Sequence, residues 1–84
     1  MKKIEIYTKD YCPYCYRAKK LLQTKGAEFT EYDVTNDPIR EQEMRDKSGR
    51  TTVPEIFVDG QLVGGCDDLY ALEAAEKLED VLGL

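Results

Sequence analysis

The feature that most constrains this fold is a cysteine pair, Cys12-Pro13-Tyr14-Cys15, at the junction between a predicted strand and a predicted helix. Residues 3–8 (Lys-Ile-Glu-Ile-Tyr-Thr) alternate polar and apolar side chains, which is the period of a strand. Pro13 suits the first position of a helix because its missing N–H needs no partner there. Apolar residues then recur at helical spacing, at Ala18, Leu21 and Leu22. The pattern predicts a β-α-β unit whose helix begins at the two thiols.

The remaining residues predict three more strands and two more helices. Residues 29–34 alternate again and follow Gly26, the expected end of the first helix. Asp37 and Pro38 predict the start of a second helix that ends near residues 48–49. Residues 55–59 and 61–64 are short strands, and the Asp59-Gly60 dipeptide between them is a hairpin turn signal. A last helix is expected from Cys66 or Asp67, with one apolar face formed by Ala71, Ala75, Leu78 and Leu82.

The predicted order is therefore β-α-β-α-β-β-α, an α/β fold with a small mixed four-stranded sheet and three helices. The first β-α-β unit requires parallel strands, and the closing hairpin is antiparallel. A chain of 84 residues supports one small domain, so we expect a single domain over residues 1–84.

Composition narrows the expected partners. The net charge is −5, from 12 basic and 17 acidic residues, which disfavours nucleic acid and an anionic membrane. No apolar run approaches the roughly 18 residues that a membrane-spanning helix needs. The first ten residues also lack the apolar stretch of a signal peptide. These features favour a cytoplasmic location, and we expect a monomer.

The cysteines are expected to carry out chemistry. Three cysteines are few for a secreted disulfide scaffold of this size. Cys12 would lie at a helix N-terminus, where unpaired N–H groups and the helix dipole favour a thiolate, and Lys9 would add a positive charge nearby. Cys15 lies one turn further on, within reach of a disulfide bond. We therefore predict a lowered pKa for Cys12.

A lowered pKa helps Cys12 more as a leaving group than as an attacking group. A thiol of pKa about 8.5 is roughly 3% thiolate at pH 7, whereas one of pKa about 5 is nearly all thiolate. Nucleophilicity falls with a Brønsted slope of about 0.4–0.5, so the rate of attack gains little. Thiolates of low pKa leave faster, and the pattern therefore favours rapid release of a mixed disulfide.

A structural disulfide or a metal site is the alternative interpretation of the cysteine pair. A structural disulfide is uncommon in a cytoplasmic protein. A tetrahedral zinc site needs four cysteine or histidine ligands, and this chain has no histidine and only Cys66 as a third sulfur. We therefore expect redox chemistry and no metal.

Three motifs together resemble the dithiol glutaredoxins across essentially the whole chain. They are residues 9–15 (Lys-Asp-Tyr-Cys-Pro-Tyr-Cys), residues 52–54 (Thr-Val-Pro) and residues 64–68 (Gly-Gly-Cys-Asp-Asp), in the order and spacing of that family. A thioredoxin would more often have tryptophan before the first cysteine and Gly-Pro between the pair, and this chain has no tryptophan.

The resemblance implies a thioredoxin-like fold and glutathione as cosubstrate. It implies reduction of glutathione mixed disulfides and of some protein disulfides, so the expected partners are glutathione and glutathionylated or disulfide-bonded proteins. Cys12 is then the nucleophile and Cys15 the resolving thiol. The residues that the resemblance assigns to glutathione binding are Lys9, Tyr14, Thr52, Val53, Pro54, Gly65, Cys66, Asp67 and Asp68.

Specific contacts are implied for several of these residues. Pro54 resembles the family's cis-proline, and the Val53 backbone is expected to pair with glutathione in β fashion. Asp68, with Asp67, is expected to meet the ligand's α-ammonium, and Lys9 its glycyl carboxylate. Three alternative roles remain open for Cys66: a spectator, a backbone contact or a regulatory thiol. We favour the spectator role.

Simpler roles remain open for the same residues. Pro54 could only begin an edge strand, residues 64–65 could only form a turn, and Asp67 or Asp68 could only cap a helix. Other side chains are expected to be surface charges (Arg40, Arg45 and Arg50) or packing residues (Tyr11, Tyr32 and Phe57). Two other functions are open: a dimer that holds an iron–sulfur cluster through Cys12 and glutathione, and a thioredoxin-like reductant that does not use glutathione.

Overall fold

A four-stranded mixed sheet organises the molecule. The computed structural model describes residues 2–84. The elements are β1 (Ile4–Thr8), α1 (Pro13–Thr24), β2 (Thr30–Asp33), α2 (Pro38–Ser48), β3 (Glu55–Val58), β4 (Gln61–Gly64), α3 (Cys66–Ala74) and α4 (Leu78–Leu82). The sheet order is β2-β1-β3-β4, with β1 parallel to β2 and antiparallel to β3, and β3 antiparallel to β4. The predicted mixed sheet is confirmed.

Strand β1 is buried on both of its faces. Ile4 and Ile6 lie in the larger apolar cluster, to which α1, α3 and α4 contribute. Tyr7 points to the opposite face and packs with Val34, Phe57 and Met44 of α2. Because helices cover both faces, even the polar members of β1 are buried. Their side chains are paired with β2: Glu5 accepts a hydrogen bond from the Tyr32 hydroxyl at 2.7 Å, and Thr8 donates one to Glu31 at 2.7 Å.

The first two helices begin and end where the sequence predicts. Cys12 is the N-cap of α1, and Gly26, with φ +74°, follows the last turn, where the Ala27 N–H binds the Leu22 carbonyl. Asp37 caps α2 by accepting a hydrogen bond from the Arg40 N–H at 3.0 Å, and α2 ends at a left-handed Gly49. None of the helices in residues 2–84 has the length and apolar character that a membrane crossing requires.

The prediction of a single C-terminal helix is wrong, because two helices, α3 and α4, occupy that part of the chain. Glu76 has a φ of +59°, and the Lys77 N–H binds the Leu72 carbonyl at 2.9 Å, which closes α3 with a Schellman motif. The predicted apolar face is therefore divided between the two helices. Leu78 and Leu82 of α4 are buried, whereas Ala71 and Ala75 are exposed.

The β3–β4 hairpin turns at the predicted dipeptide. Asp59 and Gly60 have φ values of +50° and +82°, as a type I′ turn requires. Glu55, the first residue of β3, is fully buried, and neither carboxylate oxygen has a hydrogen-bond partner. Burial raises the pKa of Glu55, while Ser48 and Arg50 act in the opposite direction.

Candidate active site

The two cysteines of the pair differ in accessibility. Cys12 and Cys15 are joined by a disulfide bond, with their Cα atoms 5.2 Å apart. Cys12 is partly exposed at the N-terminus of α1, whereas Cys15 is only 2% exposed and lies beneath it. A molecule that approaches the pair from solvent therefore meets the Cys12 sulfur first. This asymmetry suits an attacking thiol and an internal resolving thiol.

The start of α1 presents a backbone hydrogen-bond donor to the Cys12 sulfur. The Cys15 N–H donates to Cys12 Sγ at 3.1 Å, and no acidic residue lies in the first turn of the helix. Both features favour a thiolate at Cys12 when the disulfide is reduced. Lys9 contributes less than its position in the sequence suggests, because its Nζ lies 2.6 Å from Glu41 Oε2.

On the β3–β4 side of Cys12 lies a shallow groove of about 210 Å³. We call it the glycine-side groove, since Gly65 forms part of its wall. The Val53–Pro54 peptide bond is cis, and the Val53 carbonyl oxygen lies 3.9 Å from Cys12 Sγ. This groove is lined by all the residues that the glutaredoxin resemblance assigned to glutathione binding, with the exception of Lys9. The lining residues are Tyr14, Thr52, Val53, Pro54, Gly65, Cys66, Asp67 and Asp68.

Asp68 is a helix cap at the rim of the glycine-side groove. Its Oδ2 accepts a hydrogen bond from the Gly65 N–H at 2.9 Å, which satisfies a free donor at the start of α3. The same oxygen lies 3.5 Å from Arg50 Nη1. A Cβ atom on Gly64, whose φ is +133°, would overlap the Asp68 carboxylate. The alternative that Asp67 or Asp68 is the N-cap residue is wrong, because Gly65 is the N-cap of α3 and Asp68, at the third helical position, accepts its N–H. Half of the Asp68 side chain remains exposed to a ligand.

Sequence reasoning placed Arg50 among surface charges and missed its contact with Asp68. The only signal was its position two residues before the Thr52-Val53-Pro54 motif. Arg40 and Arg45 do lie at the surface of α2, where Arg40 stacks over the Tyr32 ring at 4.3 Å and Arg45 pairs with Glu41.

Cys66 is buried at the start of α3, with 5% of its surface exposed. Burial raises the pKa of the Cys66 thiol, against a smaller opposing effect of Arg17. A buried neutral thiol is a poor nucleophile, and this supports the predicted spectator role.

A second groove, of about 510 Å³, lies on the β2 side of Cys12. We call it the tyrosine-side groove, because Tyr11 and Tyr16 lie along it, together with Lys9, Asp10, Lys19, Glu31 and Asp33. The prediction that Tyr11 is a packing residue is wrong. Tyr11 adopts a left-handed φ of +54°, and its side chain is fully exposed because this conformation turns it away from the sheet. Tyr32 and Phe57 do pack in the smaller cluster, against Tyr7.

Within residues 2–84, no group of three or more histidine, cysteine, aspartate or glutamate side chains is placed to hold a metal ion.

Comparison with known proteins gives consistent matches over most of the chain. The family model described as Glutaredoxin matches residues 4–63. Glutaredoxin 3 of Escherichia coli K12 is 54% identical over 82 residues, which cover 98% of this chain and 99% of that protein. The solution structure of glutaredoxin from Brucella melitensis has a TM-score of 0.85 and 54% identity, over 98% of this chain and 89% of that one. A crystal structure of a buckwheat glutaredoxin–glutathione complex has a TM-score of 0.88 at 28% identity, over 98% and 77% of the two chains.

Proposed function

This chain belongs to the glutaredoxin family of glutathione-dependent thiol–disulfide oxidoreductases, and we propose that Cys12 is its attacking thiolate. The observation that supports this role is the difference in accessibility within the cysteine pair. Cys12 is the partly exposed member: it lines the tyrosine-side groove, and its sulfur lies 3.9 Å from the carbonyl oxygen of Val53, which lines the glycine-side groove. Cys15 is buried beneath it. The family membership favours this activity over that of a reductant that does not use glutathione.

The first half-reaction takes glutathione from a mixed disulfide. The Cys12 thiolate attacks the glutathionyl sulfur, a new Cys12–glutathione disulfide forms, and the substrate sulfur leaves as a thiolate that takes a proton from water. Donors at the start of α1 stabilise Cys12 as a thiolate before the attack. The substrate has then been reduced by two electrons, and the oxidising equivalent lies on Cys12.

The second half-reaction restores the enzyme. The thiolate of a second glutathione attacks the glutathionyl sulfur, so that glutathione disulfide forms and Cys12 leaves as a thiolate. A leaving thiolate of low pKa speeds this step. For a protein held on Cys12 by a mixed disulfide, the Cys15 thiolate can instead attack the Cys12 sulfur, which releases the protein thiol and forms the Cys12–Cys15 disulfide. One glutathione thiolate then attacks the Cys12 sulfur and releases Cys15, and a second glutathione releases Cys12 with formation of glutathione disulfide.

The glycine-side groove is the proposed binding site for glutathione. The Val53 backbone beside Cys12 can pair with the peptide backbone of glutathione, and the exposed part of Asp68 can receive the α-ammonium. The start of α3 offers N–H groups to a carboxylate. The buckwheat glutaredoxin, which has the same fold, forms a complex with glutathione. This supports the proposal that this chain also binds glutathione. Lys9 lies on the other side of Cys12, so its proposed contact with the glycyl carboxylate requires the Lys9–Glu41 ion pair to open.

The partners beyond glutathione are also proposals. The proposed substrates are glutathionylated proteins and protein disulfides. The proposed active form is a monomer, because the reaction needs only Cys12, Cys15 and free glutathione. A reducing compartment such as the cytoplasm suits the proposal, because the reaction consumes reduced glutathione and Cys12 must be reduced to begin it.

A glutathione-coupled disulfide reduction assay tests the proposal. The purified protein should reduce a glutathione mixed disulfide with glutathione as the only electron donor, and glutathione disulfide should form in equal amount. Thioredoxin reductase without glutathione should support little turnover. Turnover with thioredoxin reductase alone, and none with glutathione, would overturn the proposal.

A further inference from the structure

The position of Cys12 between two grooves raises the question of what the second groove binds. In the sheet order β2-β1-β3-β4, Cys12 follows the carboxyl end of β1. The glycine-side groove therefore lies over β3 and β4, and the tyrosine-side groove lies over β2. A substrate whose glutathionyl group occupies the first groove must place its polypeptide outside it. The tyrosine-side groove is the other concave surface that adjoins the Cys12 sulfur.

Exposed aromatic side chains make this groove suitable for a polypeptide. Tyr11 is fully exposed and Tyr16 is 67% exposed, and Pro13 lies between them at the start of α1. Tyrosine gives a large contact area with few rotatable bonds, and its ring also binds cations over its face.

The charges of the groove are unbalanced. Lys19 Nζ pairs with Glu31 Oε2 at 2.9 Å, and Lys9 pairs with Glu41, so both lysines already have carboxylate partners. Asp10 and Asp33 both line this groove, and Asp33 raises the pKa of Asp10 through hydrogen bonding and charge repulsion. Two adjacent carboxylates repel each other, and a cation placed between them relieves this repulsion.

Thr35 holds one of these carboxylates in position. Its N–H and its hydroxyl both donate to Asp33 Oδ1, at 2.9 and 2.7 Å, and these bonds hold the pKa of Asp33 below its usual value. The Thr35 hydroxyl also accepts a hydrogen bond from the Asp10 N–H at 2.8 Å. The loop that precedes Cys12 and the end of β2 are thereby tied together, so Asp10 and Asp33 form one defined acidic feature on a groove beside the nucleophile.

We propose that the tyrosine-side groove docks the polypeptide part of the disulfide substrate and favours cysteines that are flanked by lysine or arginine. The inference rests on the proposed function, since it assigns the polypeptide to a groove of which the proposed glutathione site uses only Lys9. A basic side chain next to the substrate cysteine meets Asp10 and Asp33, and the neighbouring backbone or an arginine side chain lies over Tyr11 or Tyr16. The sulfur chemistry is unchanged.

Matched glutathionylated peptides test the preference. Three peptides of equal length carry one glutathionylated cysteine flanked by lysine and arginine, by serine, or by glutamate. We expect kcat/KM to fall in that order, with about a two- to tenfold difference between the basic and the acidic peptide at low salt. The difference should shrink as the salt concentration rises. Equal values for the basic and acidic peptides would overturn the inference.

A double variant localises the effect. Asp10→Asn with Asp33→Asn keeps the size of both side chains and an oxygen acceptor for Thr35. We expect the ratio between basic and acidic peptides to approach one. The control, Asp46→Asn with Asp80→Asn, removes the same charge from two exposed positions outside the groove and should keep the wild-type ratio. A wild-type ratio in the Asp10/Asp33 double variant, or a lost ratio in the control, would contradict the assignment.

The mixed disulfide of glutathione and 2-mercaptoethanol separates this inference from the proposed function. It carries no polypeptide beyond glutathione, so wild type and both double variants should reduce it equally. Loss of that activity in wild type would count against the proposed function itself. Normal activity on it, without any discrimination among the peptides, would overturn only the docking inference. If the double variant unfolds, Asp10→Asn alone should still lower the ratio, and an unchanged ratio would overturn the inference.

Discussion

The two sides of Cys12 are built from different parts of the chain. On the β3–β4 side, the groove includes backbone groups beside Cys12: the Val53 carbonyl, Gly65 and the first turn of α3. On the β2 side, the lining includes exposed side chains, among them those of Tyr11, Tyr16 and Asp33. A backbone wall changes little when side chains are substituted, which suits a ligand that is always glutathione. A side-chain wall changes with each substitution, which suits substrates that differ between proteins.

Substitution of Cys12 or Cys15 should have the largest effect on activity, because substrates in both grooves react at the Cys12 sulfur. Cys12→Ser should abolish activity on every substrate, since a neutral hydroxyl is neither an adequate nucleophile nor a leaving group here. Cys15→Ser should keep, or even gain, activity on small glutathione mixed disulfides, because that route needs one enzyme thiol. The same variant should lose activity on protein disulfides that must be resolved from within.

Both assays on both cysteine variants decide this prediction. The reduction of a glutathione mixed disulfide and of a protein disulfide should be followed with the same glutathione supply. If Cys15→Ser is as inactive as Cys12→Ser on the glutathione mixed disulfide, the route with one thiol is wrong.

Gly64→Ala should disrupt the glycine-side groove. The added Cβ would overlap the Asp68 carboxylate, and alanine rarely adopts a φ of +133°. We expect a loss of about 1–3 kcal/mol in the free energy of unfolding, and a raised KM for glutathione because the start of α3 must move. Gly49→Ala is the matched control: its φ of +71° is also strained, but nothing lies within 4 Å of the added atom. Denaturant unfolding and glutathione kinetics on both variants would show whether the effect on KM belongs to Gly64.

Asp68 has two roles at the glycine-side groove: it caps α3, and we propose that it binds glutathione. Two substitutions separate these roles. Asp68→Asn keeps an oxygen that can accept from the Gly65 N–H and removes the charge that faces the ligand. If Asp68 binds the α-ammonium, this variant should raise the KM for glutathione by about two- to fivefold with little change in stability. Asp68→Ala should lose the cap as well, at about 1 kcal/mol. An unchanged KM in both variants would leave Asp68 with the capping role only.

Glu55→Gln should have the smallest effect on activity, because Glu55 is buried and lines neither groove. Burial raises the pKa of Glu55 above its usual value of 4.5, so the folded state binds a proton more tightly than the unfolded state does. The stability of the wild-type protein should therefore fall as pH rises from about 4.5 through the raised pKa. Glu55→Gln should reduce that fall and be more stable than wild type at pH 7.

Thermal or urea unfolding at pH 4 and pH 7 measures the effect of Glu55→Gln. Glu28→Gln, at an exposed position, is the control that changes the same charge without a buried site. An equal pH dependence in wild type and Glu55→Gln would show that Glu55 is ionised at no cost to the fold.

Short-range signals predicted most of the fold. Pro13, Gly26, Asp37 and the Asp59-Gly60 turn act on their own neighbours, and each element that they predicted is present. The break between α3 and α4 escaped prediction because Glu76, and not glycine, adopts the left-handed conformation there. A glutamate carries no sequence signal for a helix end.

The site was predictable to the extent that its residues are close together in the sequence. The motifs at residues 52–54 and 64–68 predicted residues that line one groove. The contact between Arg50 and Asp68 and the opposite location of Lys9 depend on how distant segments pack. The exposure of Tyr11 depends on its backbone conformation, and aromatic residues carry no signal for a positive φ.

The two outer strands have a further consequence for how the protein behaves at high concentration. β2 and β4 are the edges of the sheet, and each leaves backbone N–H and C=O groups unpaired on its outer side, where another strand could add. β2 is short and carries Glu31 and Asp33, whose charges repel a second copy of the same edge. β4 is also short, and its register with β3 is irregular between Ile56 and Phe57. The carboxylates that face the tyrosine-side groove therefore also protect the sheet from edge-to-edge aggregation, so substitutions that neutralise them should be made at low protein concentration.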